Sequence, residues 1–344
     1  MSSLLVLSIF VSQAAYATTC YTDCEARFPN WYQGPDRTRC RSEKALACLE
    51  PSTLPAPLNL SPFDPKEREL TARLLGGFLE GGYVVSRAVD GSAEHLGDSL
   101  LWSAIAMGVL PCSQGDAIVR AISSSVQSRD GRLVRFEPLP ASYAGDETSR
   151  DQVTGAMFGF ALRDLRCAEG RDVLRAAWAR HHAFVESHHG SLHEGINPNF
   201  YMNPGMRFLW DLVSYKLGTG DEPGAVSKSA FEAGIQLSVT AVAKTHSACY
   251  PVHLSTLLLV AAAKLGRPVT HLTRREFCHQ TRGMELPLSE WYCDRGSVAD
   301  YLANYRLNEY EYRHQRCGWE EADVSAGETT PGLDFLILKV LAGE

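Results

Sequence analysis

The chain is predicted to be all-α: an (α/α) toroid or barrel of inner and outer helices, behind a short disulfide-rich N-terminal extension. Three observations predict it. Apolar residues recur at helical spacing almost throughout residues 66–341, amphipathic segments alternate with segments that are apolar on nearly every face, and few stretches read as strands. A helix that is apolar all round is buried on every side, and one with a single apolar stripe covers it. The alternation therefore predicts an inner ring wrapped by an outer one, with a long irregular bundle as the alternative that gives a similar pattern.

From the N-terminus, Leu4 to Val11 is a short apolar run and Ala15-Tyr16-Ala17 has small-x-small form. Residues 1–17 are expected to be a signal peptide, leaving Thr18 first. The ten cysteines fit an exported chain, because an even count in an oxidising compartment implies up to five disulfides. Cys20, Cys24, Cys40 and Cys48 crowd an extension spanning 18–64, and their spacings miss the usual paired zinc pattern. Pro51 to Pro65 holds five prolines and reads as the linker into a helical catalytic domain over 65–344.

In that domain Leu70, Leu74, Phe78 and Leu79 share one helix face; Ile118, Ile122 and Val126 mark another, as do Leu174, Trp178 and Val185, then Phe231, Ile235, Val239 and Val242. Segments 98–110, 151–162, 254–265 and 333–341 are the all-apolar kind. Arg132 to Pro138 alternates after an Asp130-Gly131 turn and is read as a hairpin arm. No internal repeat stands out beyond the helix pairing.

Chemistry is expected where acidic residues stand at the mouths of the buried helices. In Tyr143-Ala-Gly-Asp-Glu-Thr-Ser-Arg-Asp-Gln152, Ser149 and Gln152 have capping-box spacing, so Ser149 is the N-cap and Asp151 lies in the first turn. Capping leaves Asp146, Glu147 and Arg150 unexplained. Asp98 is read as the cap of the helix from Ser99 to Leu110, with Glu94 and His95 upstream and Trp102 one turn inside. If the two helices run parallel, their carboxylates converge. Paired carboxyl groups are what glycosidic cleavage needs: one protonates the leaving oxygen, the other activates water or attacks.

Other segments are weighed beside these. Glu194 opens a polar-aromatic loop to Tyr201, and Tyr250 and His253 stand at a third buried helix mouth. Arg282, Glu285, Glu290 and Trp291 are read as possible cleft wall, and Tyr301 to Tyr312 as helix packing. The histidines between His181 and His193 carry no His-Glu-x-x-His motif and Gly190 interrupts them, so no metal site is assigned. Neither a Gly-x-Ser-x-Gly elbow, a phosphate loop nor a dinucleotide fingerprint occurs, and no cofactor is expected. A net charge of −7 argues against nucleic-acid binding, and no apolar run is long enough to span a bilayer.

On Gly97-Asp98-Ser99-Leu100-Leu101-Trp102 and Ser149-Arg150-Asp151-Gln152, and on the alternating helices, the chain resembles the (α/α)-toroid carbohydrate-active enzymes, the six-hairpin glycosidase-like group. The resemblance implies a crater at one end of the inner ring, where an acidic pair cleaves glycosidic bonds, commonly with inversion. The expectation is a secreted or periplasmic glycoside hydrolase with a glycan substrate. Asp98 and Asp151 are its preferred acid/base residues, with Glu147 and Glu194 as substitutes. Glu94, His95, Trp102, Tyr143, Asp146, Arg150 and His253 would bind substrate. Two alternatives stay open: a polysaccharide lyase using Tyr201 or Tyr250 with His253, since the group also contains lyases, and a non-catalytic glycan-binding envelope protein whose acids only cap helices. The glycan, the stereochemistry and the oligomeric state stay open as well.

Overall fold

The structure, a computed structural model, describes residues 39–40, 43–44, 47–56, 64–87, 92–94, 98–139, 141, 147–193, 201–245, 250–282, 284, 286–294, 299, 302–303 and 333–343. The expected signal peptide, Cys20, Cys24, Cys249, Cys317 and the Tyr301–Tyr312 segment lie outside these residues, apart from Leu302 and Ala303.

The described chain is mostly helical. In order, the elements are α1 (Asp64–Gly77), β1 (Leu79–Glu80), β2 (Tyr83–Val84), β3 (Ser86–Arg87), β4 (Ala93–Glu94), α2 (Ser99–Val109), α3 (Cys112–Ser128), α4 (Arg150–Arg166) and α5 (Arg171–Ser187). There follow α6 (Pro204–Lys216), α7 (Ala225–Thr245), α8 (Tyr250–Lys264), α9 (His271–Gln280), α10 (Pro287–Tyr292) and α11 (Leu333–Gly343). The strands form two short antiparallel hairpins, β1–β2 and β3–β4. Gly81 and Gly82 both have positive φ, 58° and 85°, which is why a two-residue turn closes β1 onto β2.

The four all-apolar segments are the buried helices α2, α4, α8 and α11. Every residue of α2 is buried, and so is every residue of α4 from Gln152 to Asp164. Contacts run from α2 to α4, α4 to α8, α8 to α10, α10 to α11, and α11 back to α2, so these helices form a closed circuit. The amphipathic helices flank it: α3 packs on α2 and α5, and α7 packs on α6, α8 and α9.

Small residues set how closely α2 and α4 approach. A Cβ at Gly155 would stand 2.8 Å from the Leu101 carbonyl oxygen, and one at Gly108 would stand 3.1 Å from the Gly159 oxygen. Asp98 meets Gln152, Leu101 meets Gly155, Ala104 meets Gly159 and Gly108 meets Leu162. Both series ascend together, so α2 and α4 are parallel. Their N-termini share one end.

At the other end a disulfide from Cys112 to Cys167 ties the start of α3 to the end of α4. Arg166 donates to the Gly108 carbonyl at 2.6 Å, satisfying an acceptor at the end of α2. A second disulfide, Cys278–Cys293, joins α9 to the end of α10, and Cys40 and Cys48 are also disulfide-bonded.

One expected element is absent. Residues 132–138 form no strand; Leu133, Val134 and Phe136 are buried instead. Arg129 holds Glu137 through two hydrogen bonds of 2.7 and 2.9 Å, and the Arg135 N–H donates to the Glu147 carbonyl at 2.8 Å. These bonds fold the segment into a loop against α4 and α5.

Candidate active site

The shared N-terminal end of α2 and α4 carries the expected acids. Ser149 has extended backbone and its hydroxyl accepts from the Gln152 N–H at 3.5 Å, so it is the N-cap of α4. The reciprocal half of the capping box is not made. The Gln152 side chain crosses to the neighbouring helix: its Oε1 accepts from the Leu101 N–H at 3.1 Å, and its Nε2 donates to Asp98 Oδ1 at 3.0 Å.

Asp98 stands at the expected N-cap position of α2, but its side chain makes no cap hydrogen bond to that helix. The Leu101 N–H, an orphan donor of the first turn, is satisfied by Gln152 from another helix. The Asp98 carboxylate instead accepts from the Gln152 amide across the two helix ends.

Asp151, one residue before Gln152, is in a different state. Its carboxyl is half-buried and, among the described residues, accepts no hydrogen bond. Burial pushes its pKa upward, and the charges of Arg150 and Arg135 oppose that shift. Two carboxyl groups in contrasting surroundings therefore stand at adjoining helix mouths.

Around them is an arginine-bearing rim. Arg132 pairs with Glu147 at 2.9 Å, and His193 Nε2 lies 3.7 Å from the same carboxylate oxygen. Glu147 is thereby engaged in an ion pair, unlike Asp151. Arg150 is exposed at the first position of α4. His181 fixes the loop that carries Arg132 and Arg135: its Nδ1 bonds the Gly131 carbonyl at 2.8 Å.

The structure buries two expected substrate contacts. Trp102 and His253 are each only 2 % exposed, with ring centroids 6.5 Å apart. They pack α2 against α8 beneath the mouth, so neither ring offers a face to a sugar, and burial lowers the His253 pKa to about 3. Their contact does bring the start of α8 to the same end. Trp291 is likewise core, at 2 % exposed, whereas Arg282 is exposed. Glu94 lies in β4, and its side chain, like His95, Tyr143, Asp146, Glu194 and Glu285, is outside the described residues. Among the described residues, no three His, Cys, Asp or Glu side chains are gathered as metal ligands, and no helix is long and apolar enough to cross a membrane.

A cleft of about 560 Å³ between α5, α6 and the turn before α7 was missed in the sequence. Arg207 sits in it between Glu186 at 2.6 Å and Asp211 at 2.7 Å, beside His182 and Ser214. His182 is stacked on Trp210. Burial raises the Asp211 pKa and lowers that of His182. Helical spacing from His182 to Glu186 and from Arg207 to Asp211 was the available signal, since residues four apart share a face.

Comparison of the chain with protein-family models, with curated proteins and with solved structures finds no match in any of the three.

Proposed function

We propose that the protein is an exported glycoside hydrolase with an (α/α)-toroid architecture, acting at the shared mouth of α2, α4 and α8. One observation carries the reading: Asp98 and Asp151 stand at adjoining, parallel helix N-termini, the first holding a donated hydrogen bond and the second half-buried without one among the described residues. Environments that separate two carboxyls in this way divide acid from base. Asp151 gives its proton to the glycosidic oxygen as the bond to the anomeric carbon breaks. Asp98 takes a proton from the water that adds to that carbon. The closed circuit of buried helices supports the toroid, and the disulfides support an oxidising compartment.

The lyase reading has less support, because His253, its proton-abstracting histidine, is buried and packed beside Trp102. The test is a broad polysaccharide panel, reading new reducing ends and near-ultraviolet absorbance together. Asp151→Asn and Asp98→Asn are each expected to lower kcat on the responding glycan by 10²-fold or more. Full activity in both variants refutes the assignment. An absorbing, unsaturated product identifies a lyase instead.

A further inference from the structure

We propose that the Gln152 amide makes Asp98 the more readily ionised of the two mouth carboxyls, Asp98 and Asp151; its catalytic meaning rests on the glycosidase reading. Gln152 is fully buried, so its amide is committed to the partners it meets. The orientation of that amide is not free. Turning it over would set its NH2 group against the Leu101 N–H and its carbonyl against the Asp98 carboxylate, opposing like partners at both ends. The amide oxygen must therefore face α2, and an N–H must face Asp98.

Three consequences follow from this single side chain. It supplies the first-turn acceptor that α2 lacks, which frees Asp98 from capping its own helix. It donates to Asp98 Oδ1, and a donor at a carboxylate oxygen favours the charged form. Asp151 is its neighbour in the chain, and among the described residues no donor reaches that carboxyl; burial favours its neutral form, against the charges of Arg150 and Arg135. Gln152 is thus a positioning residue: it touches Asp98, not the sugar.

The substitution Gln152→Glu tests this with almost no change in shape. A second carboxyl against Asp98 shares a proton with it, as like charges in contact do. Carboxyl ¹³C titration of the full-length protein would be followed for Asp98 and Asp151 in wild type, Gln152→Glu and Gln152→Met, with Tm recorded for each. Asp98 is expected to ionise before Asp151 in wild type. In Gln152→Glu its midpoint is expected to rise by about one pH unit or more, and the acidic limb of kcat/KM is expected to follow it. Gln152→Met removes the donor without adding charge and is expected to give a smaller upward shift.

An unchanged Asp98 midpoint in both variants, with only Tm lowered, overturns the proposal and leaves Gln152 a structural cap. Asp151 ionising first in wild type overturns it even if neither variant folds. If the midpoints move as expected but no glycan on the panel is cleaved, the Gln152 assignment stands and the glycosidase reading falls.

Discussion

Gly159 lies against the carbonyl of Ala104, so close that a methyl group added to Gly159 would overlap that oxygen. With Gly155 over Leu101 and Gly108 over Gly159, it lets two buried helices run nearly backbone to backbone. Their two N-termini, and the acids on them, are brought together by this approach.

Gly159→Ala is therefore expected to destabilise the fold by about 3 kcal/mol or more, since the clash is with backbone that cannot rotate away. Gly76, near the end of α1, is the control. Its added Cβ meets nothing within 4 Å, and alanine there is expected to stabilise by about 0.5–1 kcal/mol. Urea unfolding of both variants checks the pair. A Gly159→Ala protein as stable as wild type would mean that α2 and α4 are further apart.

Two of the disulfides close loops of different length, with sequence separations of 55 for Cys112–Cys167 and 15 for Cys278–Cys293. Chain entropy assigns roughly 4 kcal/mol to the longer loop and roughly 3 kcal/mol to the shorter. Replacing the Cys112–Cys167 pair by alanines is expected to lower Tm more than replacing the other pair. The longer bridge also anchors the end of α4 opposite the acids. Scanning calorimetry of the two double variants gives the order.

What the sequence made legible was whatever depended on neighbours along the chain. All-round apolarity marked α2, α4, α8 and α11, and Ser149 was readable as a cap because its acceptor role is spent three residues away. Asp98 was legible as the N-cap position of α2, but the fate of its side chain was not, for the opposite reason. Its cap is replaced by a side chain 54 positions on, and no local rule reveals a partner on another helix. The 132–138 segment shows the same limit: its alternation is real, but the Arg135 N–H goes to the Glu147 carbonyl and Glu137 turns back to Arg129 and the Leu139 N–H. Gly81-Gly82 was different. Two consecutive glycines are a local signal of the turn that closes β1 onto β2.

His181 predicts an acid-dependent loss of stability. Its ring is buried against Trp178 and Trp210, with His182 as the nearby titratable group, and burial lowers its pKa to about 4. Nδ1 is bonded to Gly131, while Nε2 is buried with no partner. The unfolded chain binds a proton near pH 6.5 and the folded one resists it, so stability is full above pH 6.5 and falls as pH drops toward 4. Across that window the slope from this residue is about 1.4 kcal/mol per pH unit. His181→Gln, which keeps a donor for Gly131, is expected to flatten the slope in urea titrations at a series of pH values. An identical slope in the variant would remove His181 as the cause.

Arg163 and Asp116 offer a sharper test, at the far end of the helix pair. The Arg163 side chain is 2 % exposed and that of Asp116 20 %, so the cation is the buried partner. Burial lowers the Arg163 pKa, and Asp116 works against that. Arg163 also donates to the Cys112 carbonyl at 2.7 Å, beside the disulfide. Removing the acid strands a buried charge, whereas removing the arginine leaves an acid that water can reach. Asp116→Ala is therefore expected to cost about 3–5 kcal/mol, and Arg163→Met, which fills the same space without charge, distinctly less. In a double-mutant cycle, Arg163→Met should recover most of the Asp116→Ala loss. If instead Arg163→Met is the more damaging change, the guanidinium matters through its hold on Cys112 rather than through Asp116.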